Sequence, residues 1–119
     1  MDSATIEQFL HAQVAAWNNG DKQAFFAAYR SVSPAGLQIE YVGRAPATDG
    51  WPVLEGMWAQ QSAKIEIEEV AAIVNGSEAA CHNRNKLRGT ATVIETVELY
   101  RFDEGHLTVR YFIQPPAGA

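Results

Sequence analysis

The chain has 119 residues and a mass of 13.0 kDa, with 47% hydrophobic residues, 19% charged residues and a net charge of -5. This composition suits one globular domain over residues 1–119, large enough to bury a core unaided, and the acidic balance without a basic block argues against nucleic acid or an anionic membrane as partner. A single cysteine, Cys81, excludes an internal disulfide and makes the reducing cytoplasm the expected compartment, and the opening MDSATIEQ has the stretches of neither a signal peptide nor a membrane span.

Ile6, Phe9, Leu10, Val14 and Trp17 recur at helical spacing, Thr5 and Gln8 suggest a capping box, and Asn18-Asn19-Gly20 supplies a stop. Asp21 is placed to cap a second helix running through Tyr29, broken by Ser33-Pro34-Ala35-Gly36. Leu37 to Val42 then reads as a strand, Gly43 to Gly50 as a loop, and Trp51 to Gln60 as a third helix with Pro52 in its first turn. From Lys64 to Val74 the alternation changes phase midway, which places a bulge at Glu68-Glu69. Asn75-Gly76 signals a hairpin that returns Glu78 to Arg88 along that strand. Cys81, Asn83, Asn85 and Leu87 then share a face with Ile65 and Ile67, and His82, Arg84, Lys86 and Arg88 share the solvated one. The tail PPAGA reads as a short disordered end.

Two further strands, Thr90 to Phe102 and His106 to Gln114, flank Asp103-Glu104-Gly105. A three-residue loop makes Phe102 and His106 the first pair, which sets Tyr100 opposite Thr108, Glu98 opposite Arg110 and Thr96 opposite Phe112 on one face. The other face then carries Leu99 with Val109, Val97 with Tyr111 and Glu95 with Ile113, and the row Val97, Leu99, Val109, Tyr111 and Ile113 makes it the more continuously apolar face, suited to packing against another layer or subunit. A slip by one residue would exchange the faces of one strand against the other.

The segments VAAWNNGD, LQIEYVG, GWPVLEGMW, VNGSEAA and YRFDEGHLTVRYF, in this order and spacing over roughly residues 3 to 114, resemble the nuclear transport factor 2-like superfamily, which includes ketosteroid isomerase and the SnoaL-like polyketide cyclases. The resemblance implies an α+β cone, a strongly curved mixed or antiparallel sheet wrapped around about three helices, with a pocket at one end and often a homodimer through the outer sheet face. The places of the ketosteroid isomerase donor, base and protonated acid hold Gln13, Tyr41 and Glu98 here. Tyr41 is no base near neutral pH, because an unperturbed phenol titrates near 10. A cation opposite Glu98 would also favour the charged carboxylate over the neutral acid that such chemistry uses.

The expected site therefore contains Glu98, Arg110 and Tyr41 as candidate catalytic groups, with Gln13, Trp58, Asn83, Asn85, Leu87, Phe112 and Gln114 around a ligand. Polar groups converging between aromatic walls suit a small oxygenated or cyclic molecule and acid-base assistance to its isomerisation, cyclisation or dehydration. Against this stands a plainer reading in which Glu98 and Arg110 form an architectural ion pair, the asparagines bond backbone or water, and the pocket is non-catalytic or filled. His11, His82 and His106 are scattered and read as surface residues, Cys81 as buried and inert, and Glu66, Glu68 and Glu69 as a solvated strand edge. The sequence has no nucleotide-binding glycine loop, zinc spacing or nucleophile elbow, so no cofactor and no metal is expected.

Overall fold

A computed structural model describes residues 1–115, so 116 to 119, which hold most of the tail expected to be disordered, lie outside the described residues. Three helices come early, α1 (Ser3–Asn18), α2 (Lys22–Val32) and α3 (Gly50–Gln61). Six strands, β1 (Gly36–Tyr41), β2 (Ala45–Asp49), β3 (Ile65–Asn75), β4 (Glu78–Leu87), β5 (Val93–Asp103) and β6 (His106–Ile113), form one sheet in the order β2-β1-β6-β5-β4-β3. The β1 and β6 strands pair in parallel and all other neighbours antiparallel. The result is an α+β fold in which the helices sit against one face of a curved, unclosed sheet. No helix among the described residues is long and apolar enough to cross a membrane.

The apolar stripe of α1 is buried as its spacing requires: Ile6, Phe9, Leu10, Val14 and Trp17 all enter the core. Its cap is Asp2 rather than the expected Thr5, since the Asp2 carboxylate accepts from the Thr5 backbone N–H at 2.8 Å. Asp21 caps α2 as expected, accepting from the Ala24 N–H at 3.0 Å. Phe25, Phe26, Tyr29 and Val32 of α2 complete the aromatic core. At the far end of α1, the Asn18 side chain acts as a strand mimic. It donates to the Ile67 carbonyl and accepts from the Ile67 N–H, both at 2.8 Å, while Trp17 Nε1 donates to the Ile65 carbonyl at 2.9 Å. These three bonds fasten α1 to the edge strand β3 and set the depth of the space between them.

Four expectations need correction. The segment expected as a loop contains β2, missed because all five of its residues are exposed and Pro46 breaks any alternation. The bulge in β3 falls between Glu69 and Ala71, so Val70 is the extra residue. The β3–β4 turn is Gly76-Ser77, with Asn75 paired to Glu78. The most consequential correction lies between β5 and β6. Their turn has two residues, Glu104 (φ 49°) and Gly105 (φ 78°), and the closing pair is Asp103 with His106. Two successive positive φ values make this a tight turn of the primed kind, whose twist matches the flanking strands. The turn is pinned by the Ala35 N–H donating to the Gly105 carbonyl at 2.9 Å.

Every pair along the ribbon therefore shifts by one. Glu98 lies opposite Tyr111, Thr96 opposite Ile113 and Tyr100 opposite Val109, all facing the helices, while Leu99 faces Arg110 and Val97 faces Phe112 on the outside. Burial explains the choice: this register sinks Tyr100, Phe102, Leu107, Val109 and Tyr111 together into the core, whereas the expected one would have turned Val109 and Tyr111 away from it.

Candidate functional site

Between the three helices and the inner face of the sheet lies a cavity of about 390 Å³, within the range of small-molecule sites. Inward positions of β4 and β5 supply its polar residues. The even-numbered residues of β5 face inward, and the alternation of β4 brings Asn83 and Asn85 to the same surface. Trp17 and Phe25 from the helices, with Ile65, Ile67, Leu87 and Ile113 from the strands, form most of the apolar wall.

Glu98 is the acidic residue of this wall and is only 6% exposed. The Tyr100 hydroxyl donates to its Oε1 at 2.6 Å, and the Thr96 hydroxyl and the Asn83 amide donate to its Oε2 at 3.0 and 3.3 Å. Asn85 continues the ladder, donating to Thr96 Oγ1 at 3.0 Å and to the Ile94 carbonyl at 2.9 Å. Burial raises the carboxyl above the usual glutamate value, and the three donors, which favour the charged form, only partly offset it. Tyr29, Tyr100 and Tyr111 stand close by, and burial pushes all three phenols up, with the Glu98 charge adding to the effect. Tyr41 stacks on Tyr111 at a centroid distance of 5.5 Å, and its phenol is also raised by burial and by Glu98. Neither Tyr41 nor its neighbours can act as a base near neutral pH.

Of the ten candidate residues, the structure brings six to the cavity: Gln13, Tyr41, Asn83, Asn85, Leu87 and Glu98. The other four lie elsewhere. Arg110 is on the outer face, where its Nε donates to Glu40 Oε1 at 3.0 Å and its guanidinium stands 5.3 Å from the centre of the Phe112 ring. Phe112 left the cavity with it, through the same one-residue shift. Gln114 borders a shallow outer groove with His82, Val97 and Phe112. Trp58 packs behind the cavity wall, 5.4 Å from Trp17 and 5.2 Å from Phe25 between ring centres.

The expected cation across from Glu98 is thus replaced by Tyr111, which removes the objection that its acid would be held ionised. The cavity wall also holds Tyr29, Thr96, Tyr111 and Arg44, which are not among the expected site residues. The period-2 pattern of β5 already placed Thr96 beside Glu98, but Tyr111 needed the correct register and Arg44 the missed β1–β2 turn. Cys81 is buried and its thiol is pushed up to about 12, first by burial and then by Glu98, so it is no nucleophile. His11 and His82 each meet a glutamate at the surface, Glu69 at 2.8 Å and Glu95 at 2.6 Å.

No protein-family model and no curated protein sequence matches the chain. Its fold is nevertheless shared by solved structures. An NTF-2 like protein of unknown function from Burkholderia xenovorans LB400 aligns over 98% of this chain and 88% of its own, with 17% identity and a TM-score of 0.74. A SnoaL-like protein of unknown function from Burkholderia thailandensis is 17% identical, with a TM-score of 0.70 over 97% of this chain and 99% of its own. A candidate polyketide cyclase from Sinorhizobium meliloti is 13% identical, with a TM-score of 0.66 over 91% of this chain and 98% of its own. At these identities the likeness speaks for architecture, not for reaction. The chain has the nuclear transport factor 2-like, SnoaL-like fold.

Proposed function

We propose that this protein binds a small, largely apolar molecule bearing a carbonyl or hydroxyl oxygen, and that the Glu98 carboxyl assists proton transfer at that oxygen. The observation carrying this reading is a buried carboxyl, without an ion-pair partner among the described residues and raised by burial, in the wall of a cavity of about 390 Å³. A neutral acid held by Tyr100, Thr96 and Asn83 is a positioned hydrogen-bond donor to a carbonyl, or a proton source for a departing hydroxyl. Among the described residues of the wall there is no second carboxylate and no histidine. The chemistry favoured is therefore what one acid can serve: dehydration of a hydroxy carbonyl compound, in which Glu98 gives its proton to the hydroxyl that departs as water and recovers one from the carbon next to the carbonyl, or an isomerisation in which it gives a proton at one position and recovers one from another.

That same absence of a partner base favours a second reading, a pocket that binds without turnover. A thermal-shift screen against hydroxylated and carbonyl-bearing ring compounds, followed by absorbance assays of those that bind, separates the two. Catalysis predicts that Glu98→Gln lowers turnover by about 100-fold or more, the usual worth of a positioned acid. Arg110→Gln, on the outer face, should change neither binding nor turnover. Binding by wild type without product establishes the second reading, and no binding across the panel overturns both.

The outer face of the sheet supports a further part of the proposal, association of two copies. Val97 and Phe112, 42% and 37% exposed, lie opposite each other, with Leu99 beside them and Ile73 further along the sheet. This replaces the row expected from sequence, since Val109 and Tyr111 belong to the core. A free, buried thiol at Cys81 agrees with the reducing cytoplasm as the compartment.

A further inference from the structure

The cavity wall carries one carboxyl and one guanidinium, at different depths. Deep in it stands Glu98; at its mouth stands Arg44, exposed to solvent. Arg44 closes the turn between β1 and β2, its N–H donating to the Tyr41 carbonyl at 2.9 Å, with Gly43 at φ +77° just before it. The turn thereby fixes where the guanidinium starts from, and Gln61, the last residue of α3, is another exposed polar residue of the wall.

Cations are scarce in this chain, nine against fourteen acidic residues, and most others visible in the fold are engaged. Lys22, Arg84, Lys86 and Arg110 hold glutamates, and Arg30 lies over the Phe26 and Trp51 rings. Arg44 has no ion-pair partner among the described residues, although acidic side chains are in excess, and it is the one basic residue of the cavity wall. A chain of net charge -5 repels anions at long range, so any preference for an anion must come from a local group. The guanidinium fork matches a carboxylate in two parallel hydrogen bonds.

We infer that the molecule accepted by this cavity is an oxo or hydroxy carboxylic acid, with its carboxylate against Arg44 at the mouth, its apolar body along the walls and its second oxygen against Glu98. This rests on the ligand-pocket reading above and adds the chemical class. With Glu98 buried and Arg44 exposed, the two groups stand at different depths of the cavity, so the ligand carries its carboxylate and its other oxygen apart.

Titration calorimetry with three rigid probes tests this: 6-acetyl-2-naphthoate, its methyl ester and 2-acetylnaphthalene. The acid should bind wild type about tenfold more tightly than either neutral compound, the worth of one charge-assisted contact. Added salt should weaken the acid and leave the neutral ketones unchanged. Arg44→Gln, a substitution at an exposed turn, should erase the preference while the ketone affinity stays within about twofold, and Arg44→Lys should restore part of it. Equal binding of acid and ketone by wild type, or an equal loss of both in Arg44→Gln, overturns the inference and leaves the ligand-pocket reading standing. Failure of all three probes to bind overturns both.

Discussion

Glu98 carries three hydrogen bonds that would hold an exposed carboxylate ionised, yet it is raised above the usual value because desolvation among tyrosine rings outweighs them. The sign of its effect on stability follows. A carboxyl raised in the folded state binds its proton more tightly there than in the unfolded chain, so its contribution is fully present below the ordinary 4.5 and is lost as pH rises through the folded value. Glu98→Gln keeps the shape and removes the titration. The melting temperature of wild type relative to Glu98→Gln should therefore fall as pH rises from about 4.5 toward neutrality, each kcal/mol costing about 4 °C. A difference that is flat with pH in parallel melts would show that the acid is not perturbed.

Among the elements, the join between α1 and β3 decides whether a cavity exists. An edge strand normally leaves backbone groups unpaired, and here Asn18 satisfies both those of Ile67 while Trp17 satisfies the carbonyl of Ile65. Asn18→Ala removes two hydrogen bonds and should lower unfolding free energy by about 2 kcal/mol in urea denaturation. Because the loss loosens the wall carrying Ile65 and Ile67, ligand affinity should fall along with stability. The Arg110–Glu40 pair is different in kind: its side chains are 44% and 27% exposed, and surface pairs of that sort contribute at most about 1 kcal/mol.

For the whole molecule, the open side of the sheet sets the association prediction. Apolar side chains at Val97, Leu99 and Phe112, bordered by the Glu40–Arg110 pair on one side and by His82, Arg84 and Glu95 on the other, form a surface that a twofold copy could cover. Sedimentation at micromolar concentration should show a species of twice 13.0 kDa, and Phe112→Glu should return it to the single-chain mass with ligand binding intact. A wild type that sediments at 13.0 kDa throughout would remove the dimer and leave the cavity proposals untouched.

Local sequence was enough to determined the helices, five of the six strands and the inward ladder of Asn83, Asn85 and Glu98, because helical spacing, cap residues and strand alternation act over a few residues. It also determined the superfamily likeness, since the order and spacing of those elements constrain how they pack. It did not determine which residue of β6 faces Glu98. That rests on a turn of two residues rather than three, a difference too small for the turn's composition to announce, which the tertiary structure decided through the shared burial of Tyr100, Phe102, Leu107, Val109 and Tyr111 under the helices. The same long-range packing moved Arg110 and Phe112 outside, brought Tyr111 beside Glu98 and left Arg44 at the mouth. A strand's alternation is written in its own residues, but its register is a property of everything it packs against.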